Sequence, residues 1–209
     1  GNVASPAART LVDVSYIVRA MVGDVAEHYP KARNATDDVL LKVENLTTRE
    51  GVSDLSFDLH RGEVFGLGGV LGSGRTEVAR ALFGIDKVVS GGITINGRAG
   101  SIASPADAIA AGIGLVPENR KTDGLFFNFT GFPNISSASL HRLGRHGLIS
   151  LAREAAEGRR LVRDLEITPT AETREVGYLS GGNQQKVVIA RWLFANAEIL
   201  ILDEPTQGI

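Results

Sequence analysis

The sequence predicts an α/β protein with a mostly parallel sheet, and three observations support this prediction. Strand-like and helix-like segments alternate along most of the 209 residues, as they do when helices connect parallel strands. A glycine-rich loop at residues 69–76 separates a predicted strand from a predicted helix. A continuous apolar stretch at residues 199–202 ends in the acidic pair Asp203 and Glu204, which is typical of a buried strand with a polar carboxyl end.

Strands are predicted where apolar residues follow a strand-like pattern. They cover residues 40–46, 52–59, 63–70, 91–99, 113–118 and 198–205. The first two alternate apolar and polar residues, as half-buried strands do. Residues 63–70 form a more continuous apolar run, which favours a buried parallel strand. The dipeptide Asn96-Gly97 is a strong local signal for a hairpin turn.

Helical spacing and capping residues predict the helices. They cover residues 13–25, 76–84, 104–112, 150–167 and 180–194. Ser104 and Ser150 occupy N-cap positions, and Pro105 stands first in its helix, where its missing N–H has no helical partner to lose. Residues 126–178 are mainly helical and rich in arginine, which predicts a helical insertion into the sheet. The polar segment 29–39 contains a proline and is predicted to be a linker.

Composition excludes several classes of function. The formal net charge is -2, whereas general nucleic-acid binders carry a strong basic excess, so no nucleic-acid partner is expected. The chain has no cysteine, which excludes disulfides and cysteine-zinc sites. The longest apolar runs fall far short of the roughly 18–20 residues that span a bilayer. Any role at a membrane therefore requires a partner protein.

The glycine loop reads GVLGSGRT from Gly69 to Thr76. Gly72 and Gly74 allow backbone N–H groups to point inward, where they form a phosphate site together with a helix N-terminus. Thr76 offers a hydroxyl to Mg²⁺. Arg75 replaces the usual lysine; it keeps the positive charge, but its planar guanidinium is wider than an ammonium. Taken alone, the loop is as compatible with a structural turn as with phosphate binding.

Two motifs further along the chain also suit nucleotide chemistry. In YLSGGNQQKV, Ser180 and two glycines precede a helix, so a serine hydroxyl is available to a phosphate; a plain loop with a helix cap is the alternative. In AEILILDEPT, Asp203 at the end of an apolar strand is placed to hold Mg²⁺. Glu204 is placed to polarise an attacking water as a general base; a solvated pair of carboxylates is the alternative.

These three motifs occur in the order found in ATP-binding cassette (ABC) ATPases, which residues 40–209 resemble. GVLGSGRT resembles the Walker A motif, LSGGNQQK the signature motif, and ILILDEPT the Walker B motif with its catalytic glutamate. The resemblance implies a P-loop NTPase core with a mostly parallel sheet, an antiparallel β subdomain and a helical subdomain at about residues 126–178. The later C-terminal strands of such a core are expected to be missing.

A closer resemblance is to the second ATPase half of bacterial importers for sugars of the ribose, galactose and xylose type. It rests on LSGGNQQK, GSGRTE and GLVPENRKTDGL. It implies that residues 1–28 are the tail of a preceding ATPase half, that 29–39 are the linker, and that 40–209 are an incomplete ATP-binding domain. The implied function is ATP hydrolysis coupled to carbohydrate uptake at the cytoplasmic face of the membrane. The implied partners are a second ATPase half, a membrane permease and, indirectly, a periplasmic sugar-binding protein.

The resemblance also implies a role for each site residue. ATP and Mg²⁺ are the implied cofactors, and Glu204 is the implied catalytic base. Nucleotide held by this half would contact Gly69, Gly72, Ser73, Gly74, Arg75, Thr76 and Glu77. The metal would be held by Thr76 and Asp203. Nucleotide held by the partner half would contact Ser180, Gly181, Gly182 and Gln184.

Some residues depart from the family pattern. Glu118 stands where a glutamine usually couples the γ-phosphate to the helical subdomain, and its carboxylate repels phosphates. Glu118 and Arg75 favour an alternative function, a half that binds nucleotide, hydrolyses it weakly and lends its signature motif to a partner. Glu204 favours retained hydrolysis. Pro133 is predicted to shift the start of the helical subdomain.

Overall fold

A computed structural model of the chain describes residues 34–70, 72–145 and 148–205. The helix predicted at residues 13–25, the predicted tail at 1–28 and residues 29–33 of the predicted linker lie outside these described residues. Among the described residues, no helix combines the length and the apolar character that a bilayer span requires.

Strands and helices alternate along the described chain. The strands are β1 (Val39–Thr48), β2 (Leu55–His60), β3 (Val88–Ile95), β4 (Arg98–Gly100), β5 (Ile113–Val116), β6 (Gly144–Arg145), β7 (Leu148–Ile149) and β8 (Ile199–Leu202). The α-helices are α1 (Arg75–Leu82), α2 (Pro105–Ala110), α3 (Gly131–Ser136), α4 (Leu151–Asp164) and α5 (Gly181–Phe194). Short 3₁₀ turns at Leu140–Arg142, Pro169–Glu172 and Val176–Tyr178, and a π-turn at Arg120–Gly124, complete the list.

An antiparallel sheet contains the first four strands in the order β2-β1-β3-β4. Val43 of β1 pairs with Ile93 of β3, and both side chains are buried, so the inner strands share an apolar face. Between β3 and β4, Asn96 and Gly97 have φ values of 51° and 72°. A tight hairpin turn of type I′ requires this left-handed conformation at both positions, and the predicted hairpin is confirmed.

A parallel pair, β5 and β8, carries the acidic end of the Walker B-like motif. Ile113 lies opposite Ile199, and Val116 lies opposite Leu202. The backbone N–H of Asp203 continues the ladder by donating to the carbonyl of Val116 at 3.0 Å. Among the named strands of the described residues, parallel pairing is confined to these two. The carboxyl ends of β5 and β8 therefore meet at one edge.

Helix α5 is fixed against β5 through Trp192. The indole Nε1 donates to the carbonyl of Leu115 at 2.8 Å, which satisfies a buried polar group. A Cβ at Gly114 would lie 2.7 Å from the indole ring, so the close approach requires glycine at this position. The ring also meets Phe83 edge-on, with centroids 5.6 Å apart, which joins α5 to the end of α1.

The prediction of a buried parallel strand at residues 63–70 is wrong for this structure. The segment has no strand assignment, Val64 is 99% exposed and Val70 is 80% exposed. Its apolar run is long enough for a strand, but a buried strand also needs a hydrogen-bonded neighbour on the sheet, and no described strand pairs with it. A groove of about 630 Å³ is lined by this segment and by β8.

The helical part of the chain packs α3 against α4 and α5. Phe132 and Ile135 of α3, Leu161 of α4 and Val187 of α5 are all buried in one apolar cluster. Pro133 lies in the first turn of α3, where its missing N–H has no helical partner to lose. Pro133 is therefore compatible with a helix that begins two residues earlier.

Asn134 anchors this helical part through its side chain. It is fully buried; its Oδ1 accepts from the backbone N–H of Phe126 at 2.9 Å, and its Nδ2 donates to the carbonyls of Phe126 and Thr130, each at 3.0 Å. Its carbonyl accepts from Arg191 Nε at 2.9 Å. Burial lowers the pKa of Arg191 to about 10. These contacts tie the loop before α3 to α5, because buried polar groups need partners.

Candidate nucleotide site

The glycine loop joins the segment 63–70 to α1. Gly72 and Gly74 have φ values of 79° and 91°, a left-handed conformation that glycine adopts without steric cost. A Cβ at Gly69 would collide with the Ser73 hydroxyl, so the loop closes tightly on itself. The backbone N–H of Ser73 donates to the carbonyl of Val70 at 3.0 Å. Leu71 lies outside the described residues.

Helix α1 begins directly behind the loop. Gly74 is its N-cap and has no side chain that could cap the helix. Arg75, Thr76 and Glu77 form the first turn. The first N–H groups of a helix lack intrahelical acceptors, and together with the helix dipole they form an anion site. The loop and α1 therefore place the predicted phosphate-binding residues around one helix N-terminus.

Thr76 and Asp203 lie at the junction between α1 and β8, where both line one cavity. The aspartate is buried. Burial raises the pKa of Asp203 above its ordinary value, and the hydrogen bond to Thr76 opposes this rise. The charges of Glu118 and Glu204 raise the pKa further, whereas the charge of Arg75 lowers it. All five side chains thus share one electrostatic environment.

Arg75 and Glu204 form an ion pair. Arg75 Nη2 lies 2.9 Å from Glu204 Oε1, and the two side chains are 35% and 45% exposed. Glu204 has a φ of 43°, and a left-handed conformation is uncommon for a residue with a Cβ. The chain therefore turns sharply after Asp203, and the Glu204 carboxylate lies against the glycine loop. Residues in this conformation are found preferentially at functional sites.

Glu118 reaches the same edge from the other strand of the parallel pair. It follows β5 after Pro117, while Asp203 follows β8, and the ends of parallel neighbours meet. A cavity of about 550 Å³ is lined by both carboxylates and by Thr76. Arg80, Asn119 and Asp123 also line this cavity. The sequence placed Glu118 near the phosphates, and the structure places it beside the Asp203 carboxylate.

A magnesium ion fits the pair Thr76 and Asp203. Over the described ranges, no three side chains among His, Asp and Glu are grouped as a ready metal cluster. Magnesium at nucleotide sites does not need one, since it takes one or two protein ligands and completes its shell with phosphate oxygens and water. The threonine hydroxyl and the aspartate carboxylate are oxygen ligands that line one cavity, which is the donor set that such a site requires.

The signature-like motif lies at the start of α5. Ser180 is the N-cap, and Gly181 and Gly182 open the helix. The Gln184 side chain is 5% exposed, and its Nε2 donates to the carbonyls of Val176 and Leu179, each at 3.1 Å. The amide of Gln184 is therefore committed to the loop before α5. The predicted contact with a partner's nucleotide consequently depends on Ser180 and the two glycines.

Asn183 is a positioning residue that the sequence reasoning did not assign. Its Nδ2 donates to Ser180 Oγ at 2.8 Å, and its Oδ1 accepts from the backbone N–H of Thr168 at 2.8 Å. The side chain therefore orients the Ser180 hydroxyl and fixes α5 to the segment after α4. The signal available in the sequence was its place inside LSGGNQQK, three residues after the serine.

A family model described as ABC transporter matches residues 52–207, a range that includes the glycine loop, Glu118, Ser180 and Asp203. The chain belongs to the ABC transporter family. The resemblance predicted from the three motifs is confirmed.

Relatives of this ABC transporter chain have names that refer to sugar import. It is 44% identical over 199 residues to a putative ribose/galactose/methyl galactoside import ATP-binding protein 3 of Agrobacterium fabrum, covering 95% of this chain and 40% of the relative. It is 42% identical to the ribose import ATP-binding protein RbsA of Lactococcus lactis, covering 94% of this chain and 40% of the relative. The chain thus spans about two fifths of the length of these relatives.

Solved structures of ATP-binding cassettes share its fold. A nucleotide-free ATP-binding cassette from an ABC transporter superposes with a TM-score of 0.68 at 21% identity, covering 82% of this chain and 71% of that one. A dimeric ATP-binding cassette in a post-hydrolysis state, bound to ADP and phosphate, superposes with a TM-score of 0.67 at 22% identity. The match covers 81% of this chain and 76% of that one. The predicted α/β fold class of the ABC ATPases is confirmed.

Proposed function

We propose that this ABC chain binds ATP with Mg²⁺ at the junction of the glycine loop and β8, and that it couples ATP hydrolysis to carbohydrate uptake. The observation that carries the proposal is that Thr76 and Asp203 line one cavity at this junction. The cavity brings together a hydroxyl at a helix N-terminus and a carboxylate at the end of a parallel strand, and phosphoryl-transfer sites use these two groups to hold the metal.

Each residue of the site has a proposed role. Backbone N–H groups of the loop and of α1 bind phosphate oxygens, and Arg75 supplies a positive charge beside them. Thr76 and Asp203 would hold a magnesium ion, which when bound would neutralise phosphate charge. Glu204 accepts a proton from the attacking water as general base. The residues proposed to bind nucleotide are Gly69, Gly72, Ser73, Gly74, Arg75, Thr76 and Glu77.

The signature-like motif is proposed to serve a second ATPase half in a head-to-tail pair. Ser180 is oriented by Asn183 at 2.8 Å at the open end of α5, where a helix N-terminus favours an anion. Gly181 and Gly182 leave room for a phosphate to approach the backbone. The dimeric form of a structurally similar cassette supports pairing of this kind.

Sugar import is proposed from the names of the relatives. Two relatives at 44% and 42% identity are described as import ATP-binding proteins for ribose or galactose-type sugars. We propose that the chain is the second ATPase half of such an importer, that it acts at the cytoplasmic face of the membrane with permease subunits, and that a periplasmic protein binds the sugar.

A second function is supported by the ion pair of Arg75 with Glu204. If this pair persists with nucleotide bound, the general base stays neutralised. The half would then bind ATP, hydrolyse it weakly and contribute mainly its signature motif to the partner half. Rates of single-turnover hydrolysis at this site, compared with the site of the partner half, separate the two functions.

The proposed site is tested by replacing Asp203 with asparagine in the full chain. Loss of a ligand charge is expected to weaken Mg²⁺-dependent binding of a non-hydrolysable ATP analogue by roughly tenfold or more, measured by equilibrium titration. Asp164→Asn is the matched control, since it removes an exposed carboxylate from α4 and leaves affinity unchanged. Absence of binding to the wild-type chain, or equal affinity for the Asp203→Asn chain, would refute the proposal.

A further inference from the structure

The Arg75 guanidinium has two competing partners. It belongs to the first residue of α1, directly behind Gly74, so it lies at the helix end that favours anions. It also contacts Glu204, with Nη2 and Oε1 2.9 Å apart. A phosphate at the loop and the Glu204 carboxylate therefore compete for the same cation.

An unusual backbone conformation holds the Glu204 carboxylate beside Arg75. The residue holds a left-handed φ of 43°, which is costly for a residue with a Cβ, and this turn brings the carboxylate onto the loop. Both side chains remain partly exposed, at 35% and 45%. A ligand that enters the groove they line can therefore reach the guanidinium.

Local charge makes the pair favourable without nucleotide. Glu118 and Glu204 both act on Asp203 to raise its pKa, and Arg75 opposes them. The Arg75 charge thus partly offsets the repulsion that Glu118 and Glu204 exert on the Asp203 carboxylate. A nucleotide brings several negative charges to the same place, and arginine binds phosphate oxygens in the same forked geometry that it uses for carboxylates.

We propose that Arg75 is a positioning residue that holds the Glu204 carboxylate while the site is empty and releases it when a phosphate takes the guanidinium. The general base is therefore withheld until nucleotide is bound. Arginine suits this role better than lysine, because its planar fork can hold a carboxylate and then exchange it for a phosphate. The inference rests on the proposed nucleotide site and adds a regulation of that site.

The test is a double-mutant cycle on nucleotide affinity in the full chain. Glu204→Gln, Arg75→Ala and the double variant are titrated with a non-hydrolysable ATP analogue and Mg²⁺. Glu204→Gln removes the competing charge, so it is expected to tighten binding by about fivefold when Arg75 is present, the effect that a half-exposed ion pair can supply. In the Arg75→Ala background the same change tightens binding by less than about twofold, since only repulsion between Glu204 and phosphate is relieved.

The inference is decided by whether Glu204→Gln tightens nucleotide binding more with Arg75 present or in the Arg75→Ala background. If Arg75 merely screens Glu204 from the phosphates, the substitution at Glu204 tightens binding more in the Arg75→Ala background. That order, or equal factors in both backgrounds, overturns the inference. Glu157→Gln is the matched control, because Glu157 pairs with Arg160 at 3.1 Å on the exposed face of α4 and does not line this groove; it leaves affinity unchanged.

Thermal unfolding and nucleotide binding by the wild-type chain provide two further tests. If the Arg75→Ala chain binds too weakly to titrate, thermal unfolding of the four chains without nucleotide measures the pair directly, and additive shifts of the midpoint overturn the inference. A wild-type chain that binds no nucleotide overturns the proposed function and this inference with it. Binding by the wild-type chain without the difference between backgrounds overturns this inference alone.

Discussion

At the scale of single residues, the site is assembled from groups that are unfavourable for folding. Burial raises the pKa of Asp203, and the carboxylates of Glu118 and Glu204 raise it further. Glu204 adopts a left-handed backbone conformation. Such features cost stability and are retained where function requires them. The sequence singled out Asp203 and Glu204 as candidates because they end an apolar strand, and Glu118 through the resemblance to the family.

The charge of Asp203 is predicted to destabilise the empty chain. The pKa of Asp203 is raised in the folded chain, so the folded chain binds the carboxyl proton more tightly than the unfolded chain does. The contribution of Asp203 to stability therefore falls as the pH rises from the pKa of the unfolded chain through the raised pKa of the folded chain. Asp203→Asn is therefore expected to raise the midpoint of thermal unfolding at pH 7 without nucleotide. The gain disappears under acid conditions in which both states hold the proton.

Circular dichroism at neutral and acid pH checks this prediction. Asp164→Asn, whose carboxylate is exposed on α4, is the control and shifts the midpoint little at either pH. A fall in the midpoint of the Asp203→Asn chain at both pH values would show that the hydrogen bond with Thr76 outweighs the burial of the charge.

At the scale of elements, the sequence predicted what is determined locally. The Asn96-Gly97 turn and the caps at Ser104 and Ser150 depend on a few neighbouring residues, and the structure contains all three. Residues 63–70 were predicted wrongly because burial of a strand depends on a neighbour elsewhere in the chain. The contacts of Asn134 with α5 and of Arg75 with Glu204 also join distant segments, and no local pattern specifies them.

Gly158 has a role in the packing of α4 against α3 that the sequence alone does not show. In sequence it is an unfavourable residue inside α4, since glycine destabilises a helix by roughly 1 kcal/mol relative to alanine. In the structure, a Cβ at this position would collide with the Phe132 ring of α3. The glycine therefore permits the close contact of α4 with α3.

Replacing Gly158 with alanine is predicted to destabilise the chain despite the better helix propensity of alanine. Overpacking of a close contact costs about 1–3 kcal/mol, which exceeds the propensity gain. Chemical denaturation measures the free energy of unfolding. Gly100→Ala is the control, because a Cβ there meets nothing within 4 Å. A more stable Gly158→Ala chain would mean that α3 and α4 separate at little cost.

At the scale of the whole molecule, the proposed function makes this chain one half of a paired ATPase. Ser180 and its positioning partner Asn183 lie at the start of α5, and they are not among the residues that line the cavity beside Asp203. In the proposed head-to-tail pair, the Ser180 end and the Asp203 end would therefore serve different nucleotides. Arg75 and Glu118 depart from the family pattern at the proposed nucleotide site of this half, whereas its signature-like motif keeps the serine and both glycines.

This asymmetry predicts unequal consequences in the assembled importer. Replacing Ser180 removes a hydroxyl proposed to contact the partner's phosphate, and loss of such a donor costs roughly tenfold or more in rate. Arg75→Ala affects only the site that already departs from the family pattern. Ser150→Ala controls for lost helix capping, because Ser150 caps α4 as Ser180 caps α5 and has no part in the site.

The most direct test of the account is steady-state ATP hydrolysis by the assembled importer carrying each of these three substitutions in turn. The account predicts that Ser180→Ala loses most of the activity, that Arg75→Ala loses distinctly less, and that Ser150→Ala stays near the wild-type rate. Equal losses from Ser180→Ala and Arg75→Ala would contradict it.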